Sequence, residues 1–460
     1  MAITVLFVAS VLLAGSGAGE QGAIADAAGK IIDHQRSSSR SFEILEELCD
    51  DVGNRLAGSE GADRAVRWAA GVFDRFGVQH VRCQEVMVPK WVRGDEQLVE
   101  IVSPRRFRLD ALALGGSVST PEEGLTADVL AVNSFDELKA RGAEVEGKVV
   151  LFNQAMGPDG NGGAVGYGTA VSQRVKGAIE AARLGAVASI IRSVGTADFR
   201  LPHTGGMRYA EGVRKIPHAA IAAEDADLIM RLLARGKPVQ IQMKMNCGDR
   251  GEVPSANVIA ELKGSERPDE VVVIGCHLDS WDVGQGAQDD GVGVAACIET
   301  IRLLDELGLR PRRTIRAVLF MNEEFGVSGG KAYAKEYAGE LDGHVAAIEM
   351  DSGAFRFLGF GVSAGEGGVE RLRFVDELLK PLGAEEIRNG GGGADISPMR
   401  PAGVPQIGLR SDSTHYFDYH HTEADTLDKV DPVELSKCTA GLAIMAFALA
   451  EMDEPLPRLK

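Results

Sequence analysis

The stretch HLDSWDVGQGAQDDGVG, which runs from His277 to Gly293, concentrates residues that can do chemistry. It combines one histidine with four aspartates in glycine-rich sequence: Asp279, Asp282, Asp289 and Asp290. Imidazole and carboxylate groups bind metal ions and transfer protons, so this span could hold a metal or a general base. The aspartates could also form a solvated acidic loop. The choice depends on whether residues of the same types lie in comparable positions elsewhere.

The sequence around this stretch predicts the elements that would position it. After residue 255, helical sequence such as ACIETIRLLDELG separates four apolar runs rich in β-branched residues: EVVVIGC, TIRAVLFM, HVAAIEM and PQIGLRS. Near-continuous apolar strands that alternate with helices are typical of a parallel sheet with helices on both faces. The sequence therefore predicts an α/β fold with a mostly parallel central sheet flanked by helices.

Candidate ligands directly follow these strands. In open α/β sheets, functional residues collect at the carboxyl edge of the parallel strands. Three of the predicted strands lead into such residues: EVVVIGC into His277 and Asp279, TIRAVLFM into Glu323 and Glu324, and HVAAIEM into Asp351. The late loop YFDYHHTEADT adds His420 and His421. Histidine and carboxylate ligands without thiolates suit Zn²⁺. Because they outnumber the ligands of one tetrahedral ion, they favour a two-metal site.

Several segments resemble the di-zinc superfamily of aminopeptidases and carboxypeptidases: LCDDVGNRLAGS, VPKWVRGDE, GKVVLFN, GAVASIIRSVGT, PHTGGMRY, HLDSWDVGQGAQDDG, GLRPRRTIRAVLFMNEEFG and HHTEADT. The resemblance covers nearly the whole chain after its first residues. It implies a metallopeptidase with a zinc-peptidase fold and two Zn²⁺ per chain. It also implies an inserted domain of the protease-associated type and a homodimer.

The resemblance further implies a role for each candidate. One zinc ion would be held by His277 and Asp351, the other by Glu324 and His421, and both by Asp289 as a bridge. The same pattern implies that Glu323 is the general base and that Asp279 orients the imidazole of His277. It also implies a cis peptide bond between Asp289 and Asp290.

Five residues of the candidate site keep alternative interpretations or have no firm role. His420 is the alternative to His421 as a ligand, although the residue directly before Thr422 matches the pattern better. Tyr416 and Tyr419 could stabilise an oxyanion or simply pack. Asp282 is interpreted as a solvated or capping residue, and Asp290 has no assigned role.

Other residues could contact a bound peptide. The segment GGGGADISPM resembles a loop that closes the substrate pocket, which places Asp395 and Ser397 near the peptide. Three arginines could pair with a free substrate carboxylate or lie on the surface: Arg388, Arg400 and Arg410.

The chain divides into five predicted segments. An apolar run followed by small residues predicts a signal peptide over 1–18, and 19–40 is a candidate propeptide. The catalytic domain would comprise 41–102 and 255–460, with an inserted domain over 103–254. In the first part, VQHVRCQEVMVP alternates like a strand, which we expect to end at Pro89.

Composition narrows the partners and the compartment. The net charge of −18 over 460 residues argues against a nucleic-acid partner. The six cysteines form no CxxC pair, and no apolar run predicts a stable membrane span. The leader favours export, which would place the protein outside the cell, in a lysosome-like compartment or in a periplasm.

These features predict a secreted, zinc-dependent exopeptidase that hydrolyses short peptides, in particular dipeptides with unblocked ends. An aminopeptidase that acts on longer peptides would use the same metal machinery. A non-catalytic ectodomain would not need the full set of ligands and the general base. A single-zinc acyltransferase of the glutaminyl-cyclase type shares the core fold, but it would need neither the second metal nor the insertion.

Overall fold

A computed structural model describes residues 4–157, 165–197 and 199–460, with side chains from residue 19 onward. Within these ranges the helices are α1 (Thr4–Ser38), α2 (Ser41–Glu47), α3 (Glu60–Arg75), α4 (Phe135–Arg141), α5 (Tyr167–Arg183), α6 (Ala223–Ala234), α7 (Val292–Glu306), α8 (Ser328–Glu336), α9 (Gly368–Arg371), α10 (Arg373–Leu379), α11 (Tyr416–Tyr419) and α12 (Pro432–Glu451). Single turns of 3-10 or π type supplement them, and one of these, Ala287–Gly291, directly precedes α7.

The strands in the same ranges are β1 (His80–Val92), β2 (Gln97–Ser103), β3 (Phe107–Arg108), β4 (Ala111–Ala113), β5 (Leu125–Val132), β6 (Val149–Phe152), β7 (Ala188–Arg192), β8 (His218–Ile221), β9 (Gln240–Met245), β10 (Gly248–Leu262), β11 (Arg267–His277), β12 (Arg313–Phe320), β13 (His344–Glu349), β14 (Phe357–Ser363), β15 (Arg388–Asn389) and β16 (Gln406–Ser411).

The chain forms two compact units. Unit 1 comprises residues 1–88, 254–413 and 426–460, and unit 2 comprises residues 89–253 and 414–425. The sequence predicted an inserted domain over 103–254, so unit 2 begins earlier than that segment. It also takes in a short late segment that contains both candidate histidines of the HHTEADT motif.

Unit 1 is built on a mixed sheet of order β1-β10-β12-β11-β13-β16-β14-β15. The four central strands β12, β11, β13 and β16 run parallel, whereas β10 pairs antiparallel with β12 and β14 pairs antiparallel with β16. All residues of β12 and β13 are buried. The predicted parallel, covered sheet is therefore confirmed at its centre, where both faces are enclosed, and antiparallel strands flank it.

The helices α7 and α12 supply much of this cover. Leu303 and Leu304 of α7 and Ile444 and Met445 of α12 are almost completely buried. Among the described helices, α12 is the one long and apolar enough to cross a bilayer, but 78% of its most apolar window is buried in the protein. That burial is typical of a core helix in a globular protein.

The N-terminal helix also packs into unit 1. Ile24 and Ile31 of α1 are almost fully buried, and Gln35 Nε2 donates to Glu299 Oε1 of α7 at 2.9 Å. Most of the segment 19–40, the candidate propeptide, thus forms one layer of the core of unit 1. The side chains of the predicted signal peptide lie outside the described residues.

Pro89 does not end the strand in which it lies. We expected β1 to stop there, and that prediction is wrong, because β1 continues to Val92. Proline removes one backbone donor, which an edge strand tolerates since one of its sides has no partner strand. In the order of the sheet, β1 is an edge strand.

Unit 2 contains a second mixed sheet, of order β3-β2-β9-β5-β6-β7-β8-β4. The strands β5 to β8 run parallel, with α4 between β5 and β6 and α5 between β6 and β7, and α6 follows β8. Its core is apolar and includes Val150, Phe152, Ile191 and Ala220. Unit 2 is therefore an α/β unit with a core of its own.

Candidate metal centre

Three neighbouring parallel strands of unit 1 end at one edge of the sheet. β11 ends at His277, which pairs with Phe320 at the end of β12, and Gly275 of β11 pairs with Glu349 at the end of β13. The residues that follow these strands are therefore brought close together. This is the edge at which the sequence predicted the site.

Four predicted ligands meet at this edge. His277 Nε2 lies 3.1 Å from Asp289 Oδ1 and 3.5 Å from Asp351 Oδ1. Ligand atoms of His277, Asp289 and Glu324 lie within 4.8 Å of one another. His277 and Asp289 are only 1% and 5% exposed. A group of one imidazole and three carboxylates, of which Glu324 and Asp351 are partly exposed, can thus close around a cation.

The imidazole of His277 is oriented by a backbone group. Its Nδ1 lies 2.9 Å from the carbonyl oxygen of Asp279, whereas the Asp279 carboxylate is 3.9 Å away. An Nδ1–H that donates to this carbonyl leaves the Nε2 lone pair facing Asp289 and Asp351, as a metal-binding histidine requires. The sequence expectation named the Asp279 side chain, but the carbonyl makes the shorter contact.

The Asp279 carboxylate holds the neighbouring strand end instead. Its Oδ1 accepts hydrogen bonds from the backbone N–H groups of Asn322, at 2.7 Å, and Glu323, at 3.1 Å. Asp279 is completely buried. It therefore connects the segment after β11 to the segment that carries Glu323 and Glu324.

Asp290, for which the sequence indicates no role, is also structural. Its Oδ2 accepts from the backbone N–H of His277 at 3.2 Å, and its Oδ1 accepts from that of Gly293 at 3.1 Å. It is fully buried. The peptide bond between Asp289 and Asp290 is cis, which confirms the conformation that the resemblance implied. Asp290 thus joins the end of β11 to the start of α7.

The electrostatics of the cluster reflect its excess of carboxylates. Burial, together with the negative charge of Asp351, raises the pKa of Glu323 to about 8, and the nearby His277 partly offsets this rise. Burial and the nearby Asp289 raise the pKa of Glu324 well above its usual range. Burial alone would lower the pKa of His277, but Asp289 and Asp351 raise it well above its usual value.

These shifts have one physical origin. Negative charge is costly in a buried site unless positive charge lies close to it. In the cluster of His277, Asp289, Glu324 and Asp351, carboxylates outnumber the imidazole. A bound divalent cation would offset this charge. The donor set, one imidazole with carboxylates and no thiolate, fits zinc.

The fifth predicted ligand, His421, lies in unit 2. It adopts a positive φ of 62°, and its Nδ1 lies 3.2 Å from the carbonyl oxygen of Thr204. Thr204 N donates in return to the His421 carbonyl oxygen at 2.9 Å. An Nδ1–H that donates to Thr204 leaves Nε2 as the acceptor atom, the arrangement that metal-binding histidines adopt.

The aromatic residues beside His421 pack together within unit 2. The rings of His420 and His421 stack with their centroids 3.5 Å apart. Tyr416 is buried and contacts the rings of Phe417 and His420. These contacts agree with the packing interpretation of Tyr416.

The loop that was expected to contact a bound peptide is split in its exposure. Ser397 is exposed, whereas Asp395 is fully buried. Arg388 and Arg410 both pair with Glu385, and Arg400 is exposed. The two paired arginines are therefore already engaged within unit 1.

Sequence reasoning missed the buried Glu349 beside Asp395. Glu349 Oε2 accepts from the backbone N–H of Ile396 at 2.9 Å. Burial, together with the nearby Asp351, raises the pKa of Glu349 to about 8. A glutamate in the otherwise apolar run HVAAIEM was the available signal, since a fully buried strand seldom carries a charge without a partner.

Comparison with known proteins identifies the family. Residues 257–446 match the model of "Peptidase family M28". The mouse (Mus musculus) protein "Carboxypeptidase Q" is 40% identical over 420 residues, which cover 91% of this chain and 87% of that protein. The human (Homo sapiens) carboxypeptidase Q is 39% identical over 423 residues, with coverages of 92% and 88%. The chain therefore belongs to peptidase family M28, and it is a metallopeptidase.

Within this family, the chain is a carboxypeptidase Q-like peptidase. The crystal structure of a peptidase M28 precursor from Shewanella amazonensis has a TM-score of 0.91 and 41% sequence identity, covering 96% of this chain and 99% of that one. A zinc aminopeptidase from Bacillus subtilis has a TM-score of 0.66 at 19% identity, with coverages of 90% and 95%. At that identity, the second likeness shows the fold alone.

Proposed function

We propose that the protein is a zinc-dependent exopeptidase that hydrolyses short peptides, with unblocked dipeptides as its substrates. The observation that carries this proposal is the close grouping of His277, Asp289, Glu324 and Asp351 at one edge of the sheet. The relationship to carboxypeptidase Q supports the exopeptidase class. The preference for dipeptides comes from the sequence resemblance.

Two zinc ions per chain would be held by the five predicted ligands. His277 and Asp351 would hold one ion, Glu324 and His421 the other, and Asp289 both. When bound, zinc would polarise the scissile carbonyl and lower the pKa of a coordinated water. In both His277 and His421, Nδ1 lies within hydrogen-bond distance of a backbone carbonyl oxygen; an Nδ1–H that donates there would leave Nε2 to bind metal, which supports this assignment.

Glu323 would serve as the general base. It lies three residues after the end of β12 and is half-buried, and its backbone N–H donates to the Asp279 carboxylate. From this position its carboxylate can take a proton from the attacking water and deliver it to the leaving amine. Fixing the backbone of Glu323 limits the geometries that its carboxylate samples, which general-base catalysis requires.

The cellular context forms part of the proposal. We infer export from the apolar leader, with unit 2 as an insertion of the protease-associated type and a homodimer as the functional form. Gel filtration with light scattering tests the dimer, and a monomer at micromolar concentration would contradict it. N-terminal sequencing of the exported protein tests whether cleavage follows residue 18 and whether 19–40 stays attached.

One experiment tests the activity directly. A dipeptide is offered in free, N-acetylated and C-amidated forms, each with and without a chelator. We expect cleavage of the free dipeptide alone, and its loss on chelation. Cleavage of the C-amidated form would show an aminopeptidase instead. If no form were cleaved in a chelator-sensitive manner, the exopeptidase proposal would be refuted.

A further inference from the structure

Arg55 belongs to the segment LCDDVGNRLAGS, whose chemistry the proposed function does not use. It lies just before α3 and is completely buried. In the described part of the chain, no carboxylate forms an ion pair with it, and every hydrogen bond of its guanidinium goes to a backbone carbonyl. A buried cation bound only by carbonyl groups is unusual, since buried charges are normally paired.

The carbonyl groups that Arg55 contacts come mainly from the loop between His277 and Asp289. Its Nε donates to Leu278 O at 2.7 Å, and Leu278 directly follows His277. Its Nη1 donates to Gln285 O at 2.7 Å and its Nη2 to Gly286 O at 2.9 Å, shortly before Asp289. The single guanidinium therefore forms hydrogen bonds to both ends of this loop.

The local backbone is shaped around this contact. Gly286 has a φ of +59°, and a Cβ at this position would lie 2.9 Å from Arg55 Nη1. The backbone N–H of Arg55 donates to Ser280 Oγ at 3.2 Å. Side chain and backbone of Arg55 thus both hold the loop, and glycine allows the close approach.

We propose that Arg55 is a positioning residue that sets how tightly the centre retains zinc. Two proposed ligands, His277 and Asp289, stand at opposite ends of a glycine-containing loop that would otherwise sample many conformations. Binding a metal would then cost the entropy of ordering this loop, whereas Arg55 orders it beforehand. The inference rests on the proposed zinc function.

The test compares two conservative substitutions. A lysine places its donors on one nitrogen and cannot span three separated carbonyl groups as the planar guanidinium does. We expect R55K to raise the dissociation constant for zinc by about 10- to 100-fold, the usual effect of removing a group that positions metal ligands.

The chain offers a matched control in Arg313. It is also completely buried, and it bonds to the carbonyl groups of Met452 and Asp453 and to Glu270. Arg313 stands at the start of β12, at the end of the strand opposite Glu323. R313K should therefore destabilise the fold comparably and change the dissociation constant for zinc by less than about 3-fold, since it leaves the metal loop intact.

Zinc affinity is measured by competition with a chromogenic chelator, on protein whose circular dichroism shows that it is folded, together with the Tm of the metal-free form. A dissociation constant of R55K within about 3-fold of the wild type, or an equal loss in R313K, would overturn the proposal. If R55K does not fold, the S280A variant is measured instead, because it removes the hydrogen bond from the Arg55 backbone N–H to Ser280 Oγ and keeps the guanidinium. We expect S280A to bind zinc about 5-fold more weakly than the wild type, and an unchanged dissociation constant would contradict the proposal. A wild-type chain that binds no zinc would refute the proposed function instead.

Discussion

The carboxylate of Asp279 lends itself to a test that separates its charge from its hydrogen bonds. Replacement by asparagine removes the charge but keeps an oxygen that can accept from the N–H groups of Asn322 and Glu323. Replacement by alanine removes the acceptor as well. In the structure, these two backbone hydrogen bonds are 2.7 and 3.1 Å long, whereas the carboxylate is 3.9 Å from His277 Nδ1.

The expected magnitudes follow from these contacts. D279A deprives two buried N–H groups of their acceptor, at about 1–2 kcal/mol each, so the free energy of unfolding should fall by about 2–4 kcal/mol. D279N keeps both hydrogen bonds, and its free energy of unfolding should fall by about 1 kcal/mol. The cost is small because the amide nitrogen replaces Oδ2 of Asp279, which accepts no hydrogen bond among the described residues. Loss of the hydrogen bond to the Glu323 N–H should displace Glu323 and lower the kcat of D279A by about 100-fold. The kcat of D279N, which keeps this bond, should fall by about 10-fold or less.

Denaturant unfolding of the metal-free variants and steady-state hydrolysis of a free dipeptide supply the two readouts. The reasoning requires D279N to be clearly milder than D279A in both of them. Equal damage from the two substitutions would show that Asp279 acts through its charge on the imidazole of His277. The backbone connection described here would then be incidental to the activity.

Three further outcomes are expected. E323Q should lower kcat by about 100- to 10,000-fold while zinc content, measured by atomic absorption, stays that of the wild type; an equal loss of zinc would count against a purely proton-transferring role. Burial lowers the pKa of His344 to about 4, so the folded state binds fewer protons than the unfolded state between pH 6.5 and pH 4. The free energy of unfolding should therefore fall by up to about 3 kcal/mol as the pH falls from 6.5 towards 4. Over the same range, the Tm of H344Q should fall less steeply than that of the wild type. G393A would place a Cβ 2.0 Å from Glu349 Cδ and should cost about 3 kcal/mol or more, whereas G339A, with open space around it, should stay within about 0.5 kcal/mol in the same unfolding assay.

The parts of the centre that the sequence could predict depend on strand geometry. Parallel strands end at one edge, so the residues after EVVVIGC, TIRAVLFM and HVAAIEM had to lie close together. That rule predicts from the sequence alone that His277, Glu324 and Asp351 lie in one cluster. The prediction of a cis peptide bond after Asp289 depended on the family resemblance, because nothing in the local sequence requires it.

Other features depend on contacts that sequence patterns do not encode. Hydrogen bonds of Arg55 span 223 to 231 positions, and no periodicity reports a pairing at that separation. A sequence also does not tell which oxygen of Asp279 faces His277, since side chain and carbonyl belong to the same residue. Pro89 was misjudged because its tolerance depends on the edge position of β1, which is a property of the assembled sheet.

The contact between the two ends of unit 1 has a consequence for how the chain is made. Asp453 N donates to Glu20 Oε2 at 2.9 Å across 433 positions. A ribosome that synthesises the chain from its N-terminus must therefore finish nearly all of it before α1 and α12 can pack. Residues 89–253, by contrast, form one continuous stretch that can fold while synthesis continues. Limited proteolysis of nascent chains stalled after residue 300 should find this stretch protected and α1 still cleavable, and early protection of α1 would contradict this order of events.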